Sequence, residues 1–283
     1  MLFVRGGLVN IQIQALSDII ELMRTEARGE ATELVADSAG TDSHVARSLH
    51  PLLSGACAVL FDAGGTLSHP DWERIALLAK RETGRDFIAA KMRRTLYEVL
   101  HETDARLFDE AFRASHTRRP GWVFQDMFRS LGVDEATCER LRLRLIAAHS
   151  EKHVWCSLDQ DVPRVMSELK RAGLRVGVIS NTEDGRLKEL LEMVGVAEHF
   201  ELLVDSYICG VRKPDAAIFH HALEQLKIAP DEAVYVGDSY GHDVLGARRA
   251  GLRAILLDPL DIYAESDCAR IHSLGELVSR AEK

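Results

Sequence analysis

Asp62 is the first residue of this sequence whose type and position indicate chemistry. The apolar run Cys57–Phe61 ends at this aspartate, and Gly64 and Gly65 follow within the same turn. A carboxylate can act as a nucleophile or bind a cation, and glycines let backbone N–H groups approach an anion closely. Because Asp before Gly is also frequent in ordinary turns, this segment does not identify a site by itself.

Two later segments carry groups that suit a phosphate. Ser180 and Asn181 follow the apolar run 176–179 and can donate hydrogen bonds to a phosphoryl oxygen, although they can equally cap the next helix. Lys213 precedes Pro214, a residue that favours the start of a helix. A lysine in such a loop can neutralise a carboxylate and a phosphate together, but a lysine is also an ordinary surface residue.

A fourth segment carries two carboxylates. Asp238 follows the apolar run 233–237, and Asp243 comes shortly after it. Hard oxygen ligands of this kind suit Mg²⁺, which is usually bound through one or two protein carboxylates. The four segments together predict a site for a metal ion and a phosphate.

These segments lie at the ends of predicted strands. From residue 159 onward, short apolar runs alternate with helical patterns, which is typical of a parallel sheet covered by helices on both faces. We therefore predict an α/β fold with a Rossmann-like doubly wound parallel sheet, whose strands place their carboxyl ends at one edge. After the first strand at 57–61, predicted strands cover 174–180, 202–204, 233–237 and 254–257, and predicted helices cover 162–171, 184–194, 214–226 and 244–250.

The remaining sequence predicts two additions to this core. Residues 71–152 show helical periodicity without a convincing strand, so we predict an all-helical cap domain over 69–158, inserted into a core formed by 55–68 and 159–283. Apolar spacing predicts an amphipathic helix within 11–35, followed by a polar linker. Residues 1–54 are therefore predicted as an N-terminal helical extension, and this extension or the cap is a candidate homodimer contact.

Composition limits the partners that we expect. The sequence has 44 acidic and 35 basic residues and a formal net charge of -9, which gives no general attraction to nucleic acid or anionic membranes. It has no long apolar run or secretory signal pattern, and its five cysteines are scattered. We expect a cytoplasmic protein that binds a small molecule, and neither nucleic acid nor a membrane.

The order of the four segments resembles the haloacid dehalogenase-like hydrolase superfamily, in the subgroup with a helical cap inserted after the first motif. The resemblance covers about residues 56–260. It matches Asp62 to the nucleophile of the first motif, Ser180 to the hydroxyl of the second, Lys213 to the basic residue of the third, and Asp238 with Asp243 to the acidic pair of the fourth.

The resemblance implies a Mg²⁺-dependent phosphatase that acts on a small phosphorylated metabolite. Asp62 would attack phosphorus to form an aspartyl-phosphate, which water would then hydrolyse. Asp243 would either bind the metal or orient Lys213 or a metal-bound water. The implied phosphate ligands are Ser180, Asn181, Lys213 and Gly65, and the implied metal ligands are Asp62, Asp238, Asp243 and the backbone carbonyl of Gly64.

The sequence departs from phosphatases of this family at Gly64, where they carry a second aspartate that acts as general acid and then base. General acid–base help is typically worth about 10²- to 10⁴-fold in rate. We expect that another group substitutes, that the substrate has a good leaving group, or that turnover is slow. His69 is the nearest candidate substitute, although a hinge residue at the entrance to the cap is the simpler interpretation.

Gly64 also leaves alternative functions open. A 2-haloacid dehalogenase lacks the same aspartate, but such enzymes need no metal and lack the Gly-Asp-Ser sequence found here at 237–239. A phosphonatase would form a Schiff base on a cap lysine, for which Lys80 or Lys91 is available. A non-catalytic protein could keep the fold as a binding platform. Further polar and aromatic candidates of the cap, none with a spacing that names a substrate, are Trp72, His116, Trp122 and His153.

Overall fold

Six parallel strands form the central sheet in the computed structural model of the protein, which describes residues 49–278. The strands of the described chain are β1 (Ala58–Phe61), β2 (Ser68–His69), β3 (Ser157–Leu158), β4 (Arg175–Ser180), β5 (Leu202–Asp205), β6 (Ala233–Gly237), β7 (Arg253–Leu257) and β8 (Ala269–Ile271). The sheet has the order β5-β4-β1-β6-β7-β8, while β2 and β3 form a separate antiparallel ribbon.

The short apolar runs form strands because both faces of the sheet are buried. In β1, Val59 and Phe61 pack into a hydrophobic cluster on one face, and Ala58 and Leu60 pack into a second cluster on the other. The predicted α/β fold with a doubly wound parallel sheet is therefore confirmed. Helices Val162–Arg171 and Leu187–Met193 cover the first face, and helices Ala216–Leu226 and Gly246–Arg249 cover the second.

Strand β1 lies at the centre of the sheet, where the strand order reverses. Phe61 at its end pairs with Val178 of β4 on one side and Val236 of β6 on the other. Because the loops after these strands turn to opposite faces, a crevice forms outside their carboxyl ends. The same edge carries Asp62 after β1 and Asp238 after β6.

Residues 70–156, which we call the insert, leave the core through the β2–β3 ribbon. The insert forms only helices, because its apolar residues recur at helical spacing and cluster around a small core of its own that includes Met92 and Phe128. Asp71 caps its first helix by accepting a hydrogen bond from the Arg74 amide (3.1 Å). The helices of the insert are Trp72–Thr83, Ala89–Asp104, Glu110–Phe112, Trp122–Ser130 and Glu135–Glu151, with a π-helical turn at Arg113–Thr117.

Several predicted bounds differ from the structure. The ribbon and β8 were not predicted, since runs of two or three residues carry too little periodicity. The predicted helix 244–250 is preceded by a π-helical segment, Tyr240–Leu245, and the predicted helix 184–194 begins only at Leu187. The predicted helix within 11–35 lies outside the described residues. Within the described chain, no helix is long and apolar enough to cross a membrane.

Candidate active site

A cavity of about 750 Å³ lies at the carboxyl ends of the central strands. Gly65 alone among the predicted site residues does not line it; its N–H donates to the carbonyl of Ser68 (2.7 Å), and its Cα lies against Asp238. The structure brings the other predicted residues together in the cavity wall, and their roles stay predictions. The lining members of the predicted set are Asp62, Gly64, Ser180, Asn181, Lys213, Asp238 and Asp243.

Lys213 connects two of the carboxylates of this site, those of Asp62 and Asp243. Its buried ammonium donates to Asp62 Oδ1 (2.5 Å), Asp243 Oδ1 (2.6 Å) and the hydroxyl of Tyr235 (2.8 Å). Burial alone would lower the pKa of Lys213, but the charges of Asp243 and Asp62 outweigh it and hold the pKa above its ordinary value. Lys213 is therefore a fixed positive charge, and Asp62 keeps its second oxygen, Oδ2, free of this contact.

Three buried carboxylates surround a volume that suits a divalent cation. Asp62, Asp238 and Asp243 each place an oxygen within 4.8 Å of the other two. Burial raises the pKa of Asp62 to about 6, against the opposing charge of Lys213. Burial and the negative charges of Asp62 and Asp243 hold the pKa of Asp238 well above its usual range. A bound cation would offset this repulsion, and all-oxygen ligands match the preference of Mg²⁺, so the residues present fit the predicted metal.

Asn181 holds the backbone that carries Lys213. Its side-chain oxygen accepts from the Lys213 N–H (2.9 Å), and its side-chain nitrogen donates to the Lys213 carbonyl (3.0 Å). Both polar atoms of the amide are thus engaged with the Lys213 loop. This geometry makes Asn181 a positioning residue for Lys213, while its predicted contact with phosphate would need an additional hydrogen bond.

The loop that follows Asp62 fits closely against Asp238 at Gly65. Gly65 has a φ of +99°, and a Cβ at this position would lie 1.9 Å from Asp238 Oδ2. Glycine is required here both for the left-handed backbone and for the close approach of the carboxylate. From the insert, Tyr97 donates its hydroxyl to the Gly65 carbonyl (3.2 Å), which links the insert to the loop that carries Asp62.

Gly64 faces an aromatic ring of the insert. A Cβ added to Gly64 would lie 3.3 Å from Cε3 of Trp155, and the backbone there does not adopt the left-handed region. The space that an acidic side chain would need is therefore bordered by the indole. His69, the candidate substitute for the acid, does not line the cavity and instead contacts Asp159 (Nε2–Oδ2 3.3 Å), the residue that follows β3.

The other candidates of the insert divide between the cavity and its surroundings. Trp122 and His153 line the cavity, whereas Trp72 packs against the core of the insert. His116 pairs with Asp126 (2.6 Å) and does not line the cavity. Lys80 and Lys91 are exposed and lie outside the lining; Lys80 pairs with Asp86 (2.6 Å).

Tyr235 contacts Lys213 and Asp243 in this site but was not among the residues predicted from the sequence. This fully buried tyrosine of β6 lies between Lys213 and Asp243 and can donate to the carbonyl of Ile179 (3.0 Å). A tyrosine inside an otherwise apolar strand was the available signal, because a buried phenol needs a polar partner.

Asp104 is a second missed contact and joins the insert to the core. Its Oδ1 accepts from the Gly241 N–H (2.9 Å) and lies 3.4 Å from the hydroxyl of Ser239, in the loop after β6. Burial raises the pKa of Asp104 to about 7. Helical spacing within the insert carries no signal for such a contact, since it depends on how the insert packs on the core.

Comparison with known proteins identifies the family of this chain. A sequence model of haloacid dehalogenase-like hydrolases matches residues 58–251. The human haloacid dehalogenase-like hydrolase domain-containing protein 3 is 32% identical over 71% of this chain and 86% of its own length. The glyceraldehyde 3-phosphate phosphatase of Methanopyrus kandleri is 30% identical over 69% of this chain and 81% of its own.

A solved structure shares the fold over most of the chain. The magnesium-bound HAD-hydrolase YfnB of Bacillus subtilis has a TM-score of 0.55 and 19% identity, over 78% of this chain and 96% of that chain. At this identity the likeness concerns the fold alone. The sequence match supplies the family: the protein belongs to the haloacid dehalogenase-like hydrolases.

Proposed function

We propose that the protein is a Mg²⁺-dependent phosphatase that hydrolyses a small phosphorylated metabolite through an aspartyl-phosphate on Asp62. The arrangement of Asp62 and Asp243 around the Lys213 ammonium, with Asp238 beside them, carries this proposal. Relatives with phosphatase names support it, among them the Methanopyrus kandleri protein and a phosphoserine phosphatase of Thermus thermophilus that is 40% identical over 40% of this chain and 46% of its own.

The first step uses the carboxylate oxygen of Asp62 that Lys213 leaves free. This oxygen attacks phosphorus, the bond from phosphorus to the leaving oxygen breaks, and the electron pair stays on the leaving group. Lys213 and the hydroxyl of Ser180 lie in the same wall and stabilise negative charge on the phosphoryl oxygens. Water then attacks the aspartyl-phosphate, which releases inorganic phosphate and restores Asp62.

Asp62, Asp238, Asp243 and the carbonyl of Gly64 are the groups that would hold Mg²⁺. When bound, the ion would neutralise the charge on the phosphoryl group and on the attacking carboxylate. Lys213 supplies the only positive side chain bonded to these carboxylates within the described chain. Because position 64 carries no acid, the leaving oxygen takes its proton from water, and the reaction favours leaving groups of low pKa.

The cavity does not favour the phosphonatase alternative. Such chemistry needs a lysine of the insert that reaches the substrate, yet Lys213 is the sole lysine among the described residues that line the cavity. Lys213 is engaged with two carboxylates and held as an ammonium, which is not nucleophilic. As a charged ammonium held at the cavity wall, Lys213 is suited to binding a phosphoryl group.

Phosphate release from 4-nitrophenyl phosphate tests the proposal. We expect activity with Mg²⁺, loss of activity after chelation with EDTA, and loss in Asp62→Asn. Asp231→Asn is the matched control, because Asp231 is exposed and does not line the cavity. Activity that survives in Asp62→Asn or in EDTA would overturn the proposal. Failure to release phosphate from a broad set of phosphorylated metabolites would favour the binding-platform alternative.

The proposal also covers the cellular location of the protein and the kind of partner that it binds. All five cysteines are described, and none forms a disulfide. Free thiols are typical of the reducing cytoplasm, and the net charge of -9 disfavours nucleic acid as a partner. We therefore propose a cytoplasmic enzyme for small molecules.

A further inference from the structure

The cavity wall contains an arginine cluster that the phosphoryl chemistry does not use. Arg113 and Arg118 come from the insert, and Arg212 comes from the core loop directly before Lys213. All three line the same cavity as Asp62. Arginine presents a planar fork of donors that matches carboxylate and phosphate oxygens, so these residues can bind an anion in two-point geometry.

The side of the cluster that belongs to the insert carries excess positive charge. Arg113 and Arg118 both bind one carboxylate, that of Glu110; the Arg118 Nη2 lies 2.9 Å from Glu110 Oε1. One negative charge thus serves two guanidinium groups. The Arg118 side chain keeps 49% of its surface exposed, so it has donors left for a ligand.

Arg212 is the member of the cluster that the core contributes. Its Nη1 donates to the carbonyl of Thr182 (2.6 Å), which fixes the guanidinium at the cavity wall. Burial lowers the pKa of Arg212, Glu183 opposes this effect, and the positive charge of Arg118 lowers the pKa further. Two like charges from different parts of the fold therefore act on each other, and an anion placed between them would relieve the repulsion.

The acidic residues near this cluster have other partners. Both carboxylate oxygens of Glu183 lie 3.1 Å from the Gly121 N–H, and burial raises the pKa of Glu183, which weakens it as a counter-charge. Asp184 lies 3.1 Å from His149 Nε2, and Asp215 caps the helix that follows it. These carboxylates do not bind Arg118 or Arg212 in the described structure.

We propose that Arg118 and Arg212 bind a second anionic group of the substrate, a carboxylate or a second phosphate, carried on the leaving group. The inference rests on the proposed phosphatase function and names its substrate class. Trp122, Phe124 and Trp155 line the same cavity, so the part of the leaving group between the two anionic ends contacts apolar walls.

Matched aryl phosphates test this inference. The first probe is 4-carboxyphenyl phosphate, the second is its methyl ester, and the third carries a phosphonomethyl group at the same ring position. The ester has the better leaving group, so leaving-group chemistry alone predicts faster hydrolysis of the ester. We expect the reverse order, with kcat/KM about 10- to 100-fold higher for an anionic probe, since hydrogen bonds to charged groups have this strength. Preference for the carboxylate or the phosphonate distinguishes the two classes of anion.

In Arg118→Gln, the ratio of kcat/KM for the anionic probe to kcat/KM for the ester should fall close to or below one. Arg212→Gln should act in the same direction. Arg119→Gln is the matched control, because it removes the same charge from the neighbouring residue, which is exposed and does not line the cavity. The ratio should stay at the wild-type value in this control.

Two outcomes overturn the inference while leaving the phosphatase proposal intact. One is hydrolysis of all probes in the order of their leaving groups, and the other is an equal change of the ratio in the Arg118 and Arg119 variants. Release of phosphate from none of the probes would instead overturn the proposed function itself.

Discussion

Replacement of Gly64 by aspartate restores the acidic group that phosphatases of this family carry two positions after the nucleophile. The backbone at Gly64 does not adopt the left-handed region, so a side chain is compatible with its conformation. The structural obstacle is Trp155, whose Cε3 lies 3.3 Å from the position of the new Cβ. The indole must move by a few tenths of an ångström, and such overpacking costs about 1 to 3 kcal/mol.

The expected gain depends on the leaving group. A positioned acid is worth about 10²- to 10⁴-fold when the leaving oxygen must be protonated, as in an alkyl phosphate. A 4-nitrophenolate leaves without a proton, so the acid contributes little there. The overpacking against Trp155 applies to both substrates and cancels in their ratio. We therefore expect Gly64→Asp to raise the alkyl-to-nitrophenyl ratio of kcat/KM by about 10²-fold or more.

The assay measures kcat/KM for an alkyl phosphate and for 4-nitrophenyl phosphate at saturating Mg²⁺. Gly64→Asn is the matched control, since it has the size of aspartate and the same contact with Trp155 but cannot serve as the acid. An unchanged ratio in Gly64→Asp, or an equal rise in Gly64→Asn, would refute the reasoning. Equal kcat/KM for both substrates in the wild type would show that another group already protonates the leaving oxygen.

Three further predictions concern the carboxylate site and the contact between insert and core. Tyr235→Phe removes the hydroxyl that contacts Lys213 and Asp243, so the free energy of unfolding in urea should fall by about 1 to 3 kcal/mol, and an unchanged midpoint would contradict this. Mg²⁺ should raise the melting temperature of the wild type, because a ligand of the folded state stabilises it, and should raise that of Asp238→Asn much less; equal shifts would contradict the assignment of Asp238. Burial raises the pKa of Asp104 from 3.8 to about 7, so its contribution to stability is present below pH 4 and is lost as pH rises to about 7, by at most about 4 kcal/mol. Asp104→Asn keeps an oxygen that accepts from the Gly241 N–H, but it does not titrate. The free energy of unfolding of the wild type in urea should therefore fall relative to that of Asp104→Asn as pH rises from 4 to 7. A difference between the two free energies that stays constant over this range would contradict the raised pKa of Asp104.

The strands and the groups at their ends could be predicted because each depends on local sequence. An apolar run such as β1 is buried on both faces, and the residue that follows it must lie at the sheet edge, which placed Asp62 and Asp238 together. Trp155 and Arg118 could not be predicted, since helical spacing shows which face of a helix is buried but not which core loop it meets. Asn181 is a second example of what the sequence does not predict. Its place after a strand was predicted, but the hydrogen bonds of its side chain to the Lys213 backbone depend on how two distant loops meet in the fold.

Glycine at position 64 also has an electrostatic consequence for the site. Asp62 and Asp243 already share the Lys213 ammonium, and burial with the negative charges of Asp62 and Asp243 holds the pKa of Asp238 well above its usual range. A fourth carboxylate at position 64 would add negative charge to this site, where Lys213 is the only cationic side chain of the described residues that is bonded to the carboxylates. The resulting loss of folding stability would be largest when no metal ion is bound. Gly64→Asp should therefore lower the melting temperature more in EDTA than in Mg²⁺, whereas Gly64→Asn should lower it equally in both. The absence of the acid thus removes a proton donor and also limits how strongly the folded site depends on a bound cation.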